Sequence, residues 1–296
     1  MRVFVTGASG WIGSAVVPEL ITAGHEVVGL ARTVEAATAL TAAGVGVRRG
    51  SLDDLESLHA GAEDSDGVIH LAFKHDFTDM AGAGRTERAA VETIGNALEG
   101  SDRPFLFASG VTGIAPGRIA TERVAAGSGP DAPRGGGEQL ALDYADRGVR
   151  PVSVRFATTV HGEGDHGFVA VLAGIAREKG VSGYVGDGAN RWPAVHRRDA
   201  AHLVRLALEN APAGAIVNAI GEEGVRARDI AEVIGRHLNI PTVSVAPEDA
   251  AAHFGWVGPI FSLDSPGSSE LTQELLGWVP THPTLMEDLE AGYYFE

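Results

Sequence analysis

Apolar residues fall along this chain in two rhythms. Short runs rich in Val, Ile, Leu and Phe alternate with longer stretches in which apolar residues return every three or four positions. Residues 2–6 read as a strand and 11–23 as a helix ended by Gly24; 26–31 is a second strand, and 34–43 a helix closed by Gly44. A third strand covers 45–49. Ser51, with Asp54 three residues on, reads as a capping box opening the next helix. Residues 67–71 give a fourth strand, 86–98 a helix, 104–108 a fifth strand, 136–147 a helix and 151–155 a sixth strand. Near-continuous apolar strands separated by helices predict a parallel sheet covered on both faces, the doubly wound α/β class.

The last third changes character. A glycine-rich stretch (162–188) precedes a strand (215–219), a helix (227–238) and a tail rich in Pro, Gly and Ser (247–269). Such segments are expected to build a smaller, interwoven lobe over the carboxyl edge of the sheet, where ligands bind in this class.

Composition narrows the function. The 296 residues carry a formal net charge of −16, which disfavours nucleic-acid backbones and anionic membrane surfaces as partners. Cysteine is absent, so disulfides, thiolate metal sites and a cysteine nucleophile are excluded. No apolar run approaches the roughly 18 residues of a membrane span, and the start passes directly from strand to turn. A cytoplasmic location is the expectation.

The strongest motif is Thr6-Gly7-Ala8-Ser9-Gly10-Trp11-Ile12-Gly13, between the first strand and the first helix. Gly7 permits the tight turn, Gly10 lets the backbone approach a pyrophosphate, and Gly13 lets helix and strand pack closely. The helix start offers free N–H groups and the positive end of its dipole. The motif predicts a Rossmann dinucleotide-binding domain over residues 1–157, with 190–219 returning to it. The substrate lobe is expected over 158–189 and 220–296.

The Gly-x-x-Gly-x-x-Gly spacing resembles the extended short-chain dehydrogenase/reductases, also called the NAD-dependent epimerase/dehydratase family. Val68-Ile69-His70-Leu71-Ala72 is similar to that family's fourth-strand motif. Phe105-Leu106-Phe107-Ala108-Ser109-Gly110 is similar to its fifth strand, and His161-Gly162-Glu163-Gly164 to its Tyr-Gly-Pro-Gly turn. Val195-His196-Arg197-Arg198-Asp199-Ala200-Ala201 and Leu276-Gly277-Trp278-Val279-Pro280 are similar to two further family blocks that are usually structural. The resemblance implies cofactor contacts from Gly7, Ser9, Gly10, Trp11, Ile12, Gly13, Leu52, Leu71, Ala72, Phe73, Ser109 and Phe156.

A cofactor with a free ribose 2′-hydroxyl needs an acid at the end of the second strand; a 2′-phosphate needs a cation there. The acid position is Ala31 and Arg32 follows. This favours NADP(H) over NAD(H), with Ser9 as a further hydroxyl for the phosphate. Ser51 stands where the family commonly has Asp.

Redox members of the family use Tyr with Lys four residues later for proton transfer, plus a nearby Ser or Thr. None of Tyr144, Tyr184, Tyr293 and Tyr294 has that Lys. Alignment through Glu138-Gln139-Leu140 puts Pro130 at the Tyr position and Arg134 at the Lys position. A guanidinium holds a ribose but is a poor proton donor. Ser109, Thr112 and Arg134 are therefore the candidate catalytic residues, in a pattern like the atypical branch of the family. His70 reads as a core histidine, while Lys74, His75 and Asp76 form a loop able to supply a proton donor. His161, Asp165 and His166 match no metal-site spacing, so no metal is expected. Arg191-Trp192-Pro193 reads equally as a pocket border and as core.

Three readings follow, in this order: an NADPH-dependent reductase of a small carbonyl or imine, a non-catalytic NADP(H) sensor or scaffold, and a sugar-nucleotide epimerase or dehydratase. A small-molecule substrate is the expected partner, and a homodimer is left open.

Overall fold

The computed structural model describes residues 1–75 and 79–296. Its strands are β1 (Arg2–Thr6), β2 (Glu26–Ala31), β3 (Gly46–Arg49), β4 (Gly67–His70), β5 (Pro104–Gly110), β6 (Arg150–Phe156), β7 (Thr159–His161), β8 (Ser182–Val185), β9 (Arg191–His196), β10 (Ala215–Ala219), β11 (Glu222–Arg226) and β12 (Thr242–Val245). The first eight α-helices among the described residues are α1 (Gly13–Thr22), α2 (Val34–Ala42), α3 (Leu55–Glu63), α4 (Met80–Leu98), α5 (Gly137–Leu142), α6 (Phe168–Lys179), α7 (Arg197–Asn210) and α8 (Ala227–Leu238).

Seven parallel strands form the central sheet in the order β10-β6-β5-β4-β1-β2-β3. The order reverses beside β1, the switch point where a doubly wound sheet leaves a crevice for a ligand. Strand alternation sorts the two cores. Val3 and Val5 of β1 pack with Val16 and Leu20 of α1 and Leu203 of α7. Phe4, on the opposite face, packs with Leu58 of α3, Ile94 of α4 and Phe105 of β5. A third apolar cluster joins α6, α8, β9 and the C-terminal segment around Trp192. A three-stranded sheet, β11-β9-β7, and a parallel pair, β12-β8, complete the second lobe. Among the described residues no helix is long and apolar enough to cross a membrane.

Several local expectations change. The cap of α3 is Asp54, whose carboxylate accepts the Ser57 N–H at 3.1 Å; Ser51 instead accepts the Asp53 N–H. The acid read as the far end of a capping box is thus the cap itself. α4 begins six residues earlier than the pattern suggested, because Asp79 caps a glycine-containing first turn through the Gly82 N–H at 2.8 Å. The glycine-rich stretch contains α6 and β8. The Pro/Gly/Ser tail folds into short helices, α9 (Ala250–Phe254) and α10 (Gly258–Phe261), whose Phe254 and Phe261 are buried. Beyond them lie α11 (Glu270–Leu276) and α12 (Leu285–Glu290).

Candidate functional site

The turn from β1 to α1 is built for close approach. Gly7 sits at φ +71°, and a Cβ there would lie 2.8 Å from the Ala72 nitrogen. At Gly13 a Cβ would fall 2.1 Å from the Gly7 carbonyl oxygen. Gly10 closes the turn by donating to that same oxygen at 2.9 Å. Ile12 precedes α1 as an N-cap position that offers no side-chain cap, and Ser9 and Gly10 are exposed. Open helix-start N–H groups beside a side-chain-free backbone fit a pyrophosphate.

Trp11 leaves this loop and reaches the second lobe. Its indole N–H donates to the Val160 carbonyl at 2.7 Å, and the Arg197 guanidinium lies 4.1 Å from the ring centroid. His166 meets the same ring edge-on.

At the far end of β2, Arg32 and Arg49 border an open concavity completed by Gly50, Ser51 and Asp54. Arg49 also donates to the Arg32 carbonyl at 3.3 Å. Both side chains are exposed. Arg49 was not singled out from sequence, although the Arg48-Arg49 pair at the end of a strand was visible there. Leu52 and Phe156 face their respective cores and are buried.

The carboxyl ends of β4 and β5 hold the unusual chemistry. His70 shares a hydrogen bond with the Thr6 hydroxyl at 2.8 Å, and that hydroxyl accepts the Ala72 N–H at 3.2 Å. The other face of His70 meets Glu87, with Nε2 at 3.4 Å from Oε2. Glu87 in turn accepts from Arg134 at 2.6 Å. The Arg134 guanidinium stacks on Phe73, 4.3 Å from its centroid. Glu87 is 1% exposed and was not singled out from sequence; its signal was only that it falls three residues after Gly84 on the same helix face.

Ser109 is half-buried at the end of β5. Thr112 shares a hydrogen bond with Thr158 at 2.8 Å, so two hydroxyls bridge the segments that follow β5 and β6. Of the loop after β4, Lys74 pairs with Asp53 at 2.5 Å, and His75 meets Phe73 edge-on. Desolvation, then the Arg134 charge, lowers the His75 pKa from the ordinary histidine range. Asp76 lies outside the described residues.

His161, Asp165 and His166 do not converge. His161 is fully buried and pairs with Asp288 at 2.6 Å, while Asp165 accepts from Tyr294 at 2.9 Å. Burial raises the Asp165 pKa. A separate trio, His196, Asp199 and His282, brings one ligand-type atom from each within 4.8 Å. Those atoms have partners. His196 Nδ1 accepts the Arg198 N–H, and Asp199 accepts from Thr281 N–H, His282 N–H and the His282 ring. Trp192 is 1% exposed and packs edge-on against Phe261, which settles it as core. Arg191 pairs with Asp264. The four tyrosines make their contacts elsewhere: Tyr144 donates to Asn96, Tyr184 lies under Arg228, Tyr294 donates to Asp165, and the Tyr293 hydroxyl is buried without a hydrogen-bond partner.

The family model for the NAD-dependent epimerase/dehydratase family matches residues 3–220. This chain belongs to that family. It is 48% identical over its whole length to the uncharacterized protein C2A9.02 of Schizosaccharomyces pombe, all of which is covered. It is 46% identical to the uncharacterized protein YLL056C of Saccharomyces cerevisiae, with 99% of each chain covered. Among solved structures it is similar to UDP-glucose 4-epimerase of Thermus thermophilus in complex with NAD, at a TM-score of 0.76, 21% identity and 100% and 99% coverage. It is also similar to the dTDP-glucose 4,6-dehydratase DesIV of Streptomyces venezuelae with NAD bound, at a TM-score of 0.79, 21% identity and 99% and 96% coverage.

Proposed function

We propose that this chain binds NADP(H) in the β1–α1 crevice and exchanges hydride with a small carbonyl or imine substrate. The observation that carries the cofactor choice is the concavity bordered by Arg32 and Arg49, with Ala31 where an NAD-type site needs an acid. With the cofactor in the crevice, its nicotinamide would supply or accept a hydride. The chain's own residues hold the 2′-phosphate with two guanidinium groups, seat the pyrophosphate on the open start of α1, and present Ser109, Thr112 and Thr158 hydroxyls at the ends of β5 and β6. With no Tyr-x-x-x-Lys pair in the chain, substrate oxygen is polarised by those hydroxyls, and its proton comes from them or from water.

A second reading, sugar-nucleotide epimerisation or dehydration, is supported by the family match and by the full-length likeness to UDP-glucose 4-epimerase and dTDP-glucose 4,6-dehydratase. The tyrosine positions weigh against it.

Titration of the chain with NADP⁺ and NAD⁺, followed by NADPH consumption against a carbonyl panel and product analysis with UDP- and dTDP-glucose, tests both. Tighter NADP⁺ binding that is lost in Arg32→Ala/Arg49→Ala supports the cofactor reading. NADPH turnover supports the reductase, and a rearranged sugar nucleotide without net cofactor change supports the second reading. Binding without either product leaves a sensor.

A further inference from the structure

Arg134 occupies a backbone conformation that needs a reason. Its φ is +53°, and Gly135 and Gly136 follow at +64° and +65°. For a residue with a side chain, this left-handed geometry is strained. α4 holds the loop in that shape with three residues of one face. Gly84 approaches so closely that a Cβ there would lie 2.9 Å from the Gly135 nitrogen. Arg88 donates to the Gly135 carbonyl at 3.0 Å. Glu87, between them on the helix surface, takes the guanidinium itself.

The guanidinium that results is fixed on three sides. Glu87 binds one Nη2 hydrogen, Phe73 covers one face at 4.3 Å, and Phe107 lies 5.5 Å from the guanidinium carbon. Its Nε hydrogen is buried without a partner, as are Glu87 Oε2 and His70 Nε2. His70 supports Glu87 from below. Its Nε2 approaches Glu87 Oε2 to 3.4 Å, and its Nδ1 shares a hydrogen bond with the Thr6 hydroxyl. Thr6 is the residue just before Gly7, so this polar chain runs from the glycine loop to Arg134.

Two features define what Arg134 addresses. Its charge is matched by a fully buried carboxylate, so its spare N–H groups suit an uncharged oxygen rather than an anion. Its place follows from strand order. The arginine-lined concavity lies at β2–β3, the open helix start at β1, and Arg134 beside β4 and β5. A dinucleotide laid along that edge brings its nicotinamide riboside to β4.

We infer that Glu87 is a positioning residue, which locks Arg134 as a hydrogen-bond fork for the hydroxyl or carbonyl oxygens of the nicotinamide riboside half of the cofactor. This rests on the NADP(H)-binding reading above.

The test compares two probes on the full-length chain by calorimetry: NADP⁺, and 2′,5′-ADP, which lacks the nicotinamide riboside. Glu87→Gln is expected to weaken NADP⁺ about tenfold, the scale of one charge-assisted hydrogen bond, and to leave 2′,5′-ADP unchanged. Arg134→Met, at a part-exposed side chain, is expected to give the same selective loss. Adding Glu87→Gln to Arg134→Met is expected to cost nothing further. Loss of both probes together in either variant, no loss of either, or additive effects in the double variant overturns the inference. A wild-type chain that binds neither probe overturns the nucleotide-binding reading and this inference with it. If Glu87→Gln does not fold, Arg134→Met alone still decides: a selective loss supports the fork and equal affinities overturn it.

Discussion

The guanidinium of Arg197 lies over the indole of Trp11, 4.1 Å from the ring centroid, and joins the second lobe to the loop that begins α1. Trp11 thus has a backbone in one lobe and a side chain anchored in the other, where it donates to the Val160 carbonyl. Trp11→Ala removes the stack and the hydrogen bond together. The expected result is a loss of about 2–3 kcal/mol of stability, read by chemical denaturation, from lost aromatic burial and one hydrogen bond.

Gly13 tolerates no side chain. Its Cβ would fall 2.1 Å from the Gly7 carbonyl oxygen and 2.8 Å from the Ala8 Cα, both backbone atoms that cannot rotate away. Gly13→Ala is expected to shift the helix off the loop, destabilise the chain by about 2–3 kcal/mol, and weaken NADP⁺ at least tenfold in a fluorescence titration. Gly24→Ala is a control for the loop rather than for strain, because nothing lies within 4 Å of the corresponding Cβ although its φ is +85°.

Arg155 and Glu138 form a buried ion pair between β6 and α5. The arginine side chain is fully buried and also donates to the Val124 carbonyl at 2.8 Å. Glu138→Ala leaves an uncompensated guanidinium in the core and is expected to cost about 3–5 kcal/mol in urea unfolding. Arg155→Met/Glu138→Leu is expected to recover most of that loss.

His196 gives the stability a pH dependence. Desolvation is the leading cause that lowers its pKa to about 4, with the Asp288 carboxylate opposing it and the nearby His161 and His282 rings reinforcing it. The neutral ring also accepts the Arg198 N–H and so caps α7. A depressed folded pKa means that the unfolded chain binds the proton more readily. The contribution is therefore complete above pH 6.5 and is lost as the pH falls toward 4. Thermal melts are expected to drop by about 4 °C across that window. His196→Asn, which keeps a cap acceptor without the titration, is expected to flatten the slope there.

How much of this could be read in advance depends on the range of the interactions. The β1–α1 glycine loop is local: its three glycines are needed by contacts within seven residues and with the adjacent β4, so the motif announced both its shape and its place. The central sheet was legible for the same reason, since buried parallel strands are continuously apolar. The second lobe was not. β7 has only three residues, β11 is Glu-Glu-Gly-Val-Arg, and neither carries an apolar period. Their pairing with β9 is fixed by contacts across tens of residues. The same limit hid Glu87. A carboxylate three residues along a helix from a glycine looks like a solvated charge until the loop at 134 folds back upon it. Arg49 is intermediate, because its sequence neighbours are plain but its partner Arg32 is set by the register of β2 with β3.

The central sheet closes with β10, which pairs in parallel with β6 only after the chain has made β7, α6, β8, β9 and α7. The face of α1 that carries Val16 and Leu20 is covered by α7, and Trp278, fully buried, donates to the Asp199 carbonyl at the start of that helix. During synthesis the nucleotide-binding half therefore emerges from the ribosome with one apolar face bare. It stays bare until residues 197–219 follow, and the last of its core arrives with residue 278. At 5–20 residues per second, that interval is roughly 5–25 seconds, a window in which a nascent-chain chaperone has an apolar surface to hold.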